Sequence, residues 1–409
     1  MTTDPVIHTA DRYDVIELSI QPDGDQWLVG STERSDFYQL PAEGVHVLRL
    51  LQQGQPVAAI AASCQQKFFE PIDVDAFIEQ LLEIGFIHRA GQRRVAAAEP
   101  TPVQEGKRLR FSMSRRTALR FFSLPALALY AAIVGCAIWL MASDASLRPK
   151  LSALYFEDRL SLTLVLLLIL YSCTALLHEF GHMIAAARRG VASKLGIGNR
   201  LWMIVAEADL TNILSLPRSQ RYLPLLAGMA VDAISICSIT SIMAVLQYFD
   251  ANAYVIHLLQ ALILQVLISI SWQFNFFLKT DVYYAICNYF GYADLDRDAR
   301  HYLRSLLHRC SFGAIGTAPE PYPYHRLDVV RYFAFAWVAG RLLAIAFLAI
   351  VLVPTLARYA AAFYGAITDS STVTYSAWDV GLFVLISSAL MGTGMYLWLF
   401  KRLAMRFRT

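Results

Sequence analysis

The sequence is short of the features that mark secreted, disulfide-bonded or nucleic-acid-binding proteins. It has only six cysteines in 409 residues (Cys64, Cys136, Cys173, Cys237, Cys287 and Cys310) and no CxxC pair. Neither a disulfide framework nor a cysteine zinc site is therefore indicated, and the cysteines read as small buried apolar residues. Residues 1–100 lack a basic start followed by an apolar run, which predicts no secretory signal peptide. The net charge is only +3, and the basic residues cluster beside apolar runs instead of forming one broad patch, which argues against nucleic acid as a partner. There is no internal repeat and no long low-complexity stretch.

Apolar sequence is what the chain has in excess. With 56% hydrophobic residues and a mean hydropathy of +0.45, it reads as an integral membrane protein, mainly α and polytopic, with the lipid bilayer as an obligatory partner. A bilayer core needs about 20 apolar residues per helical span, and six stretches qualify: 124–142, 160–187, 222–246, 253–272, 332–356 and 380–400. Lys107, Arg108, Arg110, Arg115, Arg116 and Arg120 precede the first, and Lys401, Arg402, Arg406 and Arg408 follow the last. Two internal connections are also basic, one holding Arg188 to Arg221 and the other Arg297 to Arg326. The positive-inside rule then puts both termini in the cytoplasm, in agreement with an even number of spans.

Ahead of the spans, residues 1–95 read as a small soluble α+β domain. Runs at Val15 to Ile20, Trp27 to Ser31 and Phe37 to Leu40 predict three short strands. Helical patterns follow at Ala42 to Gln53, Val57 to Gln66 and Val74 to Ile84, the third capped by Asp73 or Asp75 and closed by Gly85. Three strands followed by three helices suggest a winged-helix-like fold. Asp73, Asp75, Glu79 and Glu83 on the third helix would repel phosphates, so a DNA-binding version is disfavoured. Residues 96–119 read as a basic linker, and 120–409 as the membrane domain.

The chemistry is concentrated in the second span, in Leu177-His178-Glu179-Phe180-Gly181-His182-Met183. Histidines four residues apart lie about 40° apart around a helix, so His178 and His182 can converge on one Zn2+ while Glu179 accepts a proton from water. Ionisable groups cost about 2.5–3.5 kcal/mol at the centre of a membrane helix, so they rarely sit there without a partner or a function. A catalytic zinc usually takes three protein ligands, and the third must lie at the same depth. His257 starts the fourth span at its outer end, and His301 and His308 read as solvated surface residues. Asp281, at the inner end of that span, is the best third ligand. Asp232, in the third span, reads either as a partner orienting a histidine or as a structural carboxylate. Glu207 and Asp209 read as solvated more readily than as substrate contacts.

Two resemblances sharpen these expectations. The pair formed by HEFGH and the later segment Asn275-Phe276-Phe277-Leu278-Lys279-Thr280-Asp281-Val282-Tyr283-Tyr284 resembles the site-2 protease family of intramembrane zinc metalloproteases, in particular the bacterial peptide zinc metalloprotease branch. The likeness covers about residues 160–290, and Pro217-Arg218 leading into Ala227-Gly228 resembles the entry to that branch's third span. It implies zinc held by His178, His182 and Asp281, Glu179 as general base, Asn275 as a substrate-positioning residue, and the bacterial cytoplasmic membrane as location. Phe276, Val282 and Met229 stand where the family has proline, glycine and proline. The soluble domain, through Pro41-x-x-Gly44 and Val74 to Ile87, resembles PqqD-like peptide chaperones, also called RiPP recognition elements. That likeness implies that a leader peptide adds as a strand near Asp36 to Leu40, against the helix Val74 to Leu82. The expected function is removal of a leader from a ribosomally made precursor peptide. Regulated proteolysis of a membrane-anchored factor, and a non-catalytic immunity or export partner, are the alternatives; an intact Glu179 speaks against the last.

Overall fold

The computed structural model describes residues 12–90 except 25 and 69–71, residues 109–311 except 112, 157–158, 201–202 and 293, and residues 324, 326–368 and 376–406. Two compact units emerge. One comprises the described residues of Met1–Arg108 with Asp209–Arg221, and the other Leu109–Ala208 with Tyr222–Thr409.

The amino-terminal unit runs β1 (Tyr13–Val15), β2 (Ser19–Asp23), β3 (Gln26–Ser31), β4 (Asp36–Leu40), α1 (Ala42–Gln52), α2 (Val57–Phe68), α3 (Val74–Glu83) and β5 (Ile87–Arg89). The single first strand expected from sequence is two strands: β1 pairs with β5, and β2 joins an antiparallel β2-β3-β4 sheet. Apolar residues at helical spacing, Val45, Val47, Leu48 and Leu51 of α1 and Ile78 and Leu81 of α3, meet Val29, Ile60, Phe86 and Ile87 in one core. Asp73 caps α3 by accepting from Ala76 N at 3.0 Å, and Gly85, at φ +72°, ends it in the left-handed conformation. Arg34 donates to the carbonyls of Ile84 and Gly85 (2.7 and 3.0 Å) and pairs with Asp36 at 2.9 Å, fastening the β3-β4 turn to the end of α3.

The membrane unit opens with β6 (Leu109–Phe111), α4 (Arg115–Phe121), α5 (Leu124–Ser143) and α6 (Leu160–Arg188). Residues 96–108 of the expected linker lie outside the described residues. Where the sequence suggested a continuing tether, Leu109–Phe111 is a strand that pairs with Ser193–Leu195 of β7 (Ser193–Arg200), because that strand supplies the backbone partners a tether would lack. Next come β8 (Met203–Asp209), α7 (Arg218–Tyr248), α8 (Ala253–Trp272), α9 (Asp281–Phe290), α10 (Leu295–Cys310), α11 (Leu327–Phe347), α12 (Val353–Thr368) and α13 (Ala377–Arg406). The small sheet is ordered β6-β7-β8, with β8 at an edge.

Among the described residues, six helical stretches are long and apolar enough to cross a membrane: Arg115–Ser143, Leu160–Arg188, Arg218–Tyr248, Ala253–Trp272, Leu327–Ala361 and Trp378–Leu397. The fifth extends beyond its expected bounds at both ends, and a π-helical turn within it, Leu348–Leu352, joins α11 to α12. Large apolar side chains such as Ile138 and Trp139 lie on the outside, as suits a hydrocarbon solvent. The same geometry corrects one expectation: Cys64 and Cys287 are buried, but Cys136, Cys173 and Cys310 are exposed, two of them on spans with little helix around them to cover them. The start of α6 is capped from far along the chain. Arg159 offers no cap, and Asp379 in the first turn of α13 accepts from the amides of Leu160 (2.6 Å) and Ser161 (3.0 Å).

Candidate metal centre

Two elements of the membrane unit bring three side chains to one point. His178 and His182 project from one face of α6, both buried, and Asp281 opens α9. The Nε2 atoms of the two imidazoles are 3.0 Å apart, and Asp281 Oδ2 lies 3.1 Å from His178 Nε2 and 3.3 Å from His182 Nε2. Among the described residues this is the group whose ligand atoms could hold a metal ion. At 1.5 Å per residue, His178 sits about 15 Å and His182 about 9 Å before the end of α6.

Hydrogen bonds behind the imidazoles decide what their front atoms can do. His182 Nδ1 donates to the carbonyl oxygen of Pro224 (2.7 Å), which only accepts, so Nε2 of the neutral ring keeps its lone pair. His178 Nδ1 donates to Asp232 Oδ2 at 2.8 Å, with the same result. Two lone pairs and a carboxylate oxygen thus face one another across 3.0–3.3 Å, an arrangement that repels unless a cation neutralises it. Zinc bonds of about 2.0–2.1 Å to N and O set neighbouring donors of a tetrahedron about 3.3–3.4 Å apart, close to the spacing here. The donor set therefore fits Zn2+. Asp232 is thus hydrogen-bonded to one of the two histidines.

Asp281 is held at both ends of the turn that carries it. Gln273 accepts from Asp281 N through Oε1 (3.2 Å), and its backbone carbonyl accepts from Thr280 Oγ1. Lys279, in the left-handed region at φ +52°, pairs with Asp294 at 2.9 Å, and Tyr283 donates to the other oxygen of Asp294 at the same distance. These contacts anchor the first turn of α9.

Helix α7 approaches α6 more closely than any side chain would allow. A methyl group on Gly228 would overlap Nε2 of both His178 and His182, and one on Gly181 would lie 2.7 Å from Val231 Cγ2 and 3.1 Å from the Ala227 carbonyl. Glycine at these two positions lets backbone carbonyls and Asp232 reach the imidazoles. Glu179, half-buried beside the histidines, accepts from Ala208 N in β8 at 2.7 Å.

The remaining sequence candidates fall elsewhere. Asn275 is buried at the start of the 3-10 turn Phe276–Leu278, outside the metal group, and Phe276 packs on Phe333. His257 stacks on Phe156. His301 and His308 are half-buried where solvated side chains were expected, and His301 bonds Tyr324 (2.8 Å), because α10 packs along α11. Glu207 is exposed, whereas Asp209 accepts from Thr211 N (3.1 Å) and Oγ1 (2.6 Å). Sequence reasoning missed Pro224, Gly228 as a contact, Gln273 and Ala208; Gly228 alone carried a signal, in the Ala227-Gly228 pair. No family model, curated protein or solved structure matches the chain.

Proposed function

We propose that the protein is a membrane-embedded zinc metallopeptidase of the site-2 protease type that removes the leader from a ribosomally made precursor peptide, with its active site open to the cytoplasmic side of a bacterial inner membrane. The observation that carries this reading is the meeting of His178 Nε2, His182 Nε2 and Asp281 Oδ2 within 3.3 Å, with a carboxylate, Glu179, between the two histidines on the same helix. A Zn2+ bound there would act as a Lewis acid toward water and a peptide carbonyl. Glu179 is the base in this scheme: it takes a proton from water and returns it to the leaving amine. Asp232 and the Pro224 carbonyl keep both imidazoles in the tautomer a metal requires.

The substrate must be extended where it is cut, because a helix keeps its carbonyls in hydrogen bonds. The free edge of β8, whose Ala208 touches Glu179, offers an extended peptide backbone partners. In the amino-terminal unit, β4 is likewise an edge strand, with Tyr38 exposed and Phe77 of α3 beside Leu40 and Gly44, which supports leader capture there. Tethering a captured leader to the protease raises its effective concentration without improving either site.

The test is metal analysis and cleavage together. Full-length protein purified in nanodiscs should carry Zn2+ and cut a leader-bearing precursor encoded beside its gene. Chelation should stop the cleavage and added Zn2+ restore it; cleavage indifferent to chelation defeats the reading.

A further inference from the structure

Within the membrane unit, the one carboxylate that stands between the two histidines already holds a partner on the β8 edge. Gly190, at φ +79°, turns the chain just after α6, and Val191 N donates back to the Ala186 carbonyl at 3.1 Å. Strand β7 therefore starts only five residues beyond α6 and packs on it, which brings the next strand within reach of Glu179. The backbone groups of alternate strand residues face the same edge, so those of Ala206 and Ala208 point one way and those of Val205 and Glu207 the other. One edge of β8 belongs to β7; among the described residues no strand pairs with the other. Ala208 N donates to Glu179 Oε2 at 2.7 Å, which places Ala208 on the uncovered edge.

An amide N–H is a single donor. A peptide that extends the sheet at β8 needs this donor for one of its own backbone carbonyls, and the Glu179 carboxylate stands where that carbonyl would go. The two acceptors compete. A bond to a carboxylate is short and about twice as strong as one between neutral groups, so at rest the side chain holds the edge. A carboxylate that loses Ala208 remains on α6 between His178 and His182.

We propose that the N–H of Ala208 is a shared donor: it holds the Glu179 carboxylate at rest, and a docked substrate strand takes it over through a backbone carbonyl and frees the carboxylate toward the metal centre. This deepens the metallopeptidase reading and rests on it for what the freed carboxylate does, whereas the exchange of acceptors stands apart from it. The feature recognised is an extended segment with an unengaged carbonyl. A helical segment keeps its carbonyls in its own hydrogen bonds and leaves Glu179 where it is, so the enzyme selects for local unwinding at the moment it acquires its base.

Competition for one donor is read in binding, without cleavage. Full-length protein in nanodiscs, with Zn2+ present, is titrated with the leader-bearing precursor in two forms. Glu179→Gln keeps an oxygen that accepts from Ala208; Glu179→Met has nearly the same shape and no comparable acceptor. The Glu179→Met form should bind the precursor about fivefold more tightly, the effect of one neutral hydrogen bond that the peptide no longer has to displace. Ala208→Pro removes the donor and is tolerated on an edge whose N–H faces away from the sheet, so adding it to both forms should abolish the difference. Hydrogen exchange without precursor should show the amide of residue 208 faster in Glu179→Met than in Glu179→Gln, with β7 unchanged. Should methionine disturb the fold, Glu179→Ala takes its place. Equal affinities of the two forms, or tighter binding by Glu179→Gln, overturn the proposal. Tighter binding by Glu179→Met, in a protein whose native form neither holds Zn2+ nor cuts the precursor, would leave the exchange of acceptors standing and end the metallopeptidase reading; equal affinities in a protein that does both would do the reverse.

Discussion

His182 and Pro224 are joined by a hydrogen bond of 2.7 Å from Nδ1 to a carbonyl in the second turn of α7. An α-helical carbonyl normally serves the amide four residues on, here Gly228, so the Pro224 oxygen uses its second lone pair for the imidazole. The bond exists because Gly228 lets α7 lie against the histidines. It ties the tautomer of His182 to the packing of α6 against α7.

Gly228→Ala should therefore destroy the metal centre more completely than its small volume change implies. The added methyl overlaps Nε2 of His178 and His182, and the neighbour that would have to give way is a buried ring on a packed helix. Zinc bound per chain, measured by mass spectrometry of purified protein, should fall by at least about tenfold, with the helical content by circular dichroism preserved. Full zinc occupancy in this variant would mean that α7 does not approach the site as closely as described.

Asp232→Asn removes the anion behind His178 while keeping the shape. Asparagine can still accept from Nδ1, so the ring orientation survives, but the imidazole becomes a poorer donor to a cation. Zinc affinity in competition with a chelator should fall about 10–100-fold, the usual effect of losing such a partner. An unchanged affinity would assign Asp232 to helix packing alone.

The sequence made the centre's front atoms legible and hid what stands behind them. Ligating side chains are few and chemically distinctive, so spacing on a helix and depth in the bilayer were enough to select His178, His182 and Asp281. Pro224 and Ala208 act through backbone groups that every residue possesses, and no residue type announces that use. Asp379 capping α6 and Asp23 holding Arg221 join positions about two hundred residues apart, which local periodicity cannot reveal. The spans were readable because hydropathy sums over twenty residues, whereas the strand Leu109–Phe111 is three residues long and exists only through its partner in β7.

Acid should loosen the anchor of α9 in a defined direction. Burial raises the Asp294 carboxyl, but hydrogen bonds from Lys279 and Tyr283 outweigh it and lower the group below its ordinary value. A depressed folded-state pKa means the stabilisation is complete above the unfolded value, about 3.9, and is lost as pH falls through the folded one. Native protein should thus melt above Asp294→Asn at pH 6, and the difference should shrink steadily below about pH 4. Because Lys279 and Asp294 are partly solvated, the gap should also narrow in high salt. A gap that widens on acidification contradicts the assignment.

Glu179→Gln separates chemistry from architecture. The amide oxygen of glutamine can still accept from Ala208 N, so β8 keeps its contact, and none of the three ligand atoms belongs to residue 179. Zinc content should match that of the native chain. What glutamine cannot do is take a proton from water at neutral pH, and general base catalysis of this kind contributes about 10²–10⁴-fold. Cleavage of the precursor by the variant should fall by at least that factor at saturating substrate, with little change in KM, since the lost interaction matters only in the transition state. A variant that loses zinc and activity together would indicate that residue 179 holds the site in shape, and the base would then have to be sought among other groups at the β8 edge.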